Sequence, residues 1–135
     1  MKDDDRNVRG AAVDALGQIA EEGNAVAIAA LCAILQDDDL AVRRAAVTVV
    51  GQIARKGNAV AIAAVRARLE DDDPLVRIAA VDAFVRIAER GNADAIAAVS
   101  VLLEDDDWQV ERAAVDALAQ IREMKMKKQV RFETI

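Results

Sequence analysis

The chain has 135 residues, 54% hydrophobic but only 2% aromatic, with no histidine, one cysteine and a formal charge of −6. An acidic chain of this kind argues against nucleic acid as the main ligand, because phosphate binding needs a basic footprint. Without histidine, neither a Cys–His nor a Ser–His pair can form, and the single thiol excludes an intrachain disulfide and leaves metal ligation poor.

The length suits one domain that buries roughly two-thirds of its unfolded surface. With so few aromatic residues, the core must come from Ala, Val, Ile and Leu, whose small side chains favour closely stacked helices. The charge is unevenly shared: residues 1–121 balance to −9, and residues 122–135 to +3. The longest apolar run, 25–35, is too short to span a bilayer as a helix. No signal peptide is evident. A lone cysteine favours a reducing compartment, so a soluble, cytoplasmic protein is expected.

In chain order, the first helical pattern covers about 6–22, with Val8, Ala12, Ala15, Leu16 and Ile19 on one face. Gly23 supplies a left-handed stop and Asn24 caps the next segment, about 25–36, which turns Ile28, Leu31 and Leu35 inward. The pair then recurs. Gly57-Asn58 and Gly91-Asn92 punctuate the same points, and Asp39, Asp73 and Asp107 start the longer helices. Seven helices follow: about 6–22, 25–36, 40–56, 59–70, 74–90, 93–104 and 108–126. Asp3, Asp37, Asp71 and Asp105 are each 34 residues apart, a fixed period of the size that marks a solenoid.

The repeated phrase is Asp-Asp-Asp-x-x-Val-Arg-x-Ala-Ala-Val, most explicit from Asp71 to Val81, followed by a short Ala/Ile/Leu helix. It resembles HEAT repeats, most closely the HEAT-like repeats named after phycobilisome lyases, over about residues 3–121. The resemblance implies an all-α, right-handed α-solenoid of stacked helical hairpins, about 3.5 repeats of 34 residues. It further implies that the longer helices line the concave side. Residues 1–121 would form the array, with units starting near 3, 37, 71 and 105. Residues 122–135 would form a basic extension, a helix end followed by an extended or disordered segment. The array starts on a longer helix without its preceding partner, and Met124-Lys125 replaces the Gly-Asn stop. Two readings fit uncapped ends of this kind: pairing of two copies as a homodimer, or a piece of a longer array. The units are also alike enough to suggest recent duplication or consensus engineering.

Each Asp triplet reads first as helix capping plus solubility, since carboxylates favour the positive end of a helix. The EF-hand pattern is absent. Arg9, Arg43 and Arg77 recur in register, with Glu111 in the fourth place. By resemblance to related repeats, they form an Asp–Arg ladder between units. Cys32 aligns with Arg66 and Ser100, which predicts an exposed thiol.

Function is expected on the longer helices, opposite the core, where the residues change between units. These columns are Gly10, Arg44, Ile78 and Arg112; Asp14, Thr48, Asp82 and Asp116; Gly17, Gly51, Val85 and Ala119; Glu21, Arg55, Glu89 and Glu123. A constant framework around a varying face suits an extended recognition surface. The partner-binding candidates are Arg44, Thr48, Ile78, Asp82, Val85, Arg112 and Asp116, with Ile78 and Val85 as exposed apolar contacts. Trp108, the only tryptophan, is either a lid over an inter-unit turn or an interface anchor.

The tail alternates apolar residues from Gln129 to Ile135, which suits an extended segment. Lys128, Val130 and Phe132 resemble the docking motif of type 1 protein phosphatase regulators. A disordered end and the first strand of a further domain are the competing readings.

The leading expectation is therefore a non-enzymatic protein-interaction scaffold without cofactor, metal, nucleic acid or membrane. The alternatives are an engineered repeat scaffold without native ligand, a phosphatase-docking regulatory subunit, and a bilin lyase or its chaperone. The absence of His and Tyr weakens the last.

Overall fold

The computed structural model describes residues 6–20, 24–89 and 92–133, with backbone alone over 122–133. The described residues form seven α-helices: α1 (Arg6–Ile19), α2 (Ala25–Ile34), α3 (Leu40–Ile53), α4 (Ala59–Arg68), α5 (Pro74–Ile87), α6 (Ala93–Ser100) and α7 (Trp108–Glu133). A 3₁₀ turn, Val101–Glu104, follows α6. No strand occurs among the described residues.

The helix starts follow from capping. The Asn24, Asn58 and Asn92 side chains accept from backbone amides of the first turns of α2, α4 and α6. Asp39, Asp73 and Asp107 do the same for α3, α5 and α7. Each satisfies an amide that the helix itself leaves without a partner. Pro74 opens α5, where its missing N–H costs nothing.

The long helices stop earlier than the periodicity suggests. α3 and α5 end at Ile53 and Ile87, three residues short, because Ala54 and Ala88 turn into extended backbone. Ala88 is buried, so the apolar surface it covers is better served by leaving the helix than by prolonging it. Gly57 adopts the left-handed region, φ +82°, but in the turn rather than at the helix end. From there its N–H donates to the carbonyl of Ile87 at 2.7 Å, so the turn of one unit caps the long helix of the next. Lys56 Nζ donates to the neighbouring Arg86 carbonyl at 3.0 Å.

α1, α3, α5 and α7 lie side by side in one layer, and the short helices pack against them in a second. The core between them is aliphatic. Val47, Val50, Val81, Phe84 and Ile87 from the long helices meet Ile28, Leu31, Val65, Leu69, Val99 and Leu102. Val42, Ala46, Val76 and Ala80 of the long helices are buried in the same core.

Two sequence expectations are corrected here. Cys32 is half-buried against the core, not exposed, and burial pushes its thiol pKa up. α7 continues through Glu133 instead of ending near 126 and giving way to an extended segment. No Gly, Pro or Asn interrupts the chain after Ile121, and Lys, Met, Gln, Arg and Glu are all good helix formers. Lys128, Val130 and Phe132 therefore lie on helical backbone, not in the extended form that strand addition to a partner's sheet requires. The predicted stops at Gly23 and Gly91, together with Glu21, lie outside the described residues.

Candidate binding surface on the long helices

The units are tied in register by arginine clamps. Arg43 binds Asp71 of the following unit through two bonds, Nε to Oδ2 at 3.0 Å and Nη2 to Oδ1 at 3.1 Å. Its Nη1 donates to the Asp37 and Asp38 carbonyls of its own unit. Arg77 repeats the arrangement, reaching Asp105 at 3.0 Å and the Asp71 and Asp72 carbonyls. Arg9 reaches Asp37 at 2.7 Å. A forked guanidinium suits this task because it engages a carboxylate at two points and still has donors for carbonyls.

Each triplet among the described residues divides its work. The first carboxylate takes the incoming guanidinium and accepts from the amide two residues on, the third caps the helix, and the second stays exposed. Asp71 is the most buried of these carboxylates, with its side chain 2% exposed. Burial alone would raise its pKa. The Asp73 amide and the Arg43 and Arg68 guanidiniums outweigh that and hold the carboxyl below its ordinary range.

The clamps fix the spacing of α3, α5 and α7, whose shared outer face carries two connected depressions. The first, about 180 Å³, lies between α3 and α5, with Arg44, Thr48, Ile78 and Asp82 in its walls. The second, about 740 Å³, lies between α5 and α7 and adds Val85, Arg112 and Asp116. All seven candidates from the sequence thus face one surface. The sequence reading missed Leu75, Arg86, Gln109 and Gln120, which also line it. Arg86 could have been noticed, since it stands alone in a column otherwise occupied by Gln18, Gln52 and Gln120.

The surface is banded. Arg44, Ile78 and Arg112 occupy equivalent positions on neighbouring helices and make one row, with Leu75 and Trp108 at its edge. Trp108 is 68% exposed and borders the larger depression. One turn further on come Thr48, Asp82 and Asp116, then Gln52, Arg86 and Gln120. Burial by the groove walls raises the pKa of Asp82; Arg86 opposes this and Asp116 adds to it.

Ile78 and Val85 are half-buried, where the sequence reading had them exposed. The Gly17, Gly51 and Val85 column faces the joint between long helices, not open solvent. A Cβ at Gly51 would stand 2.8 Å from Ala83 Cβ, and one at Gly17 would stand 3.1 Å from Val49 Cγ1. This column therefore sets how closely the helices approach.

Among the described residues, no group of three or more His, Cys, Asp or Glu is placed to hold a metal ion. No helix there is long and apolar enough to cross a membrane. No curated protein matches the chain significantly. The family model for HEAT repeats matches residues 1–85 and 28–119. Proteins built from such repeats are commonly protein-interaction scaffolds and typically non-enzymatic. On that match and on the two layers of paired helices, the chain belongs to the HEAT-repeat family.

Proposed function

We propose that the protein is a non-enzymatic interaction module, working in the cytoplasm, that holds a protein partner across α3, α5 and α7. The observation that supports this most is the convergence of Arg44, Thr48, Ile78, Asp82, Val85, Arg112 and Asp116 on two connected depressions. The first three units share their capping asparagine and clamping arginine, while several columns of the long helices that differ between units lie on this face. Aliphatic side chains beside arginines and an exposed tryptophan match the composition of interface centres.

The test begins with a partner identified by affinity capture and confirmed with purified components. Arg44→Glu should weaken that interaction at least tenfold with the melting temperature retained, and Ile78→Thr, a milder change at a half-buried position, should weaken it as well. Arg66→Glu, on exposed surface of α4, should leave it unchanged. Equal binding by all three variants would overturn the reading.

A second reading, pairing of two copies through α1, is favoured by Val8 and Ile19. They are 50% and 77% exposed, although their counterparts Val42, Val76, Ile53 and Ile87 are buried in later units. Sedimentation should show a mass that rises with concentration and falls to the monomer in Ile19→Lys. A constant monomer mass would exclude it.

A further inference from the structure

We infer that the surface on α3, α5 and α7 takes an extended acidic segment, in which one apolar side chain is flanked by carboxylates five to six residues apart. This deepens the proposed function and rests on it.

The inference starts from how the arginines are used. Arg43, Arg68 and Arg77 are each engaged by a carboxylate within the fold. Arg44 and Arg112 form no ion pair or side-chain hydrogen bond among the described residues, and both are exposed on the groove walls. They stand on either side of Ile78 in one transverse row. In an acidic chain, two open guanidiniums beside an apolar centre are a local reversal of charge.

The acidic row behind them gives the site an edge. Asp82 and Asp116 lie one helical turn away and repel an anion there, which separates the Arg44 and Arg112 row from Arg86 one turn further on; only the first row offers two guanidiniums on either side of an apolar centre. The same two carboxylates disfavour the continuous phosphates of nucleic acid or an anionic lipid surface. Discrete side-chain carboxylates with neutral residues between them fit better.

The spacing follows from packing. Adjacent helices lie about 8–10 Å apart, so Arg44 on α3 and Arg112 on α7 are separated by roughly 16–20 Å across α5. An extended chain advances about 3.3 Å per residue, which places the two carboxylates about five to six residues apart. The apolar residue midway between them meets Ile78 and Leu75, with Trp108 available to its neighbour.

The probe is a random nonapeptide library displayed on phage, panned on the full chain and, in parallel, on R44E/R112E and I78E. The expected result is enrichment of peptides with an apolar centre and Asp or Glu on both sides at this spacing. On R44E/R112E the flanking preference should switch to Lys or Arg, which a merely misfolded variant would not do. Enriched peptides without acidic flanks that still need Ile78 would overturn the ligand class and leave the binding surface standing. Enrichment indifferent to both Ile78 and the two arginines would overturn the ligand class and the surface together. No enrichment would overturn the extended-segment inference, while the capture experiment above would still decide whether the surface binds a folded partner.

Discussion

Gly10 and Gly51 show how the same residue type does opposite things in one array. Gly51 is buried with Ala83 Cβ and Cα at 2.8 and 3.0 Å from where its own Cβ would stand, and backbone cannot yield as a flexible side chain does. Gly51→Ala should overpack the α3–α5 joint by about 1–3 kcal/mol. That exceeds the roughly 0.5–1 kcal/mol a helical Gly→Ala change otherwise gains. Gly10 has nothing within 4 Å of its Cβ position, so Gly10→Ala should collect that gain. Urea unfolding of the two variants should shift the midpoint in opposite directions.

Asp82 offers a residue-level test by pH. Its folded-state pKa is raised, chiefly by burial, so the native state holds this proton more tightly than the unfolded chain. Below the unfolded carboxylate value of about 3.9 the group is protonated in both states and contributes nothing. As pH rises through the folded value, an unfavourable charge develops in the native state. Asp82→Asn should therefore melt higher than the parent at pH 7, and the advantage should vanish towards pH 3.5. A constant difference across that range would assign the gain to something other than the charge.

Between elements, the decisive contact is the clamp. Asp71→Ala leaves Arg43 and Arg68 without their carboxylate at a buried site, and breaking such a pair costs about 3–5 kcal/mol. The exposed Asp72→Ala, one residue away, should stay within about 0.5 kcal/mol. Because the Asp71 pKa is lowered on folding, its contribution is present above pH of about 3.9 and fades as pH falls through the folded value. The difference between parent and Asp71→Ala in thermal melts should shrink accordingly in acid.

Much of this level was legible in the sequence. The Asn and Asp starts are local chemistry, visible as a single residue before an apolar period, and the tie from Arg43 to Asp71 was implied by the resemblance to related repeats. The ends of the helices were not legible. Beyond Ala54 the chain turns so that the Gly57 amide reaches a carbonyl thirty residues later, a contact with no local signal. The α7 extension was misread because alternation at Val130 and Phe132 looked like a strand, while the helix-forming residues around them prevailed. The candidate surface was legible as columns that change between units. The burial of Ile78, Val85 and Cys32 was not, since it depends on how closely neighbouring helices approach.

At the scale of the molecule, near-copies of one unit stack so that, among the described residues, each long helix packs chiefly against the long helices before and after it. Stability in such an array is close to a sum of unit and joint terms. One weakened joint, such as Gly51→Ala, therefore separates the array into two cooperative parts instead of loosening it evenly. The partners of each clamp, Arg43 and Asp71 or Arg77 and Asp105, are 28 residues apart in the chain. Every tie between units is thus local on the scale of the polypeptide, and low sequence separation makes for fast ordering. During synthesis, one unit can lock onto the last as soon as the next acidic triplet clears the ribosomal exit, so the nascent chain never has to wait for its far end.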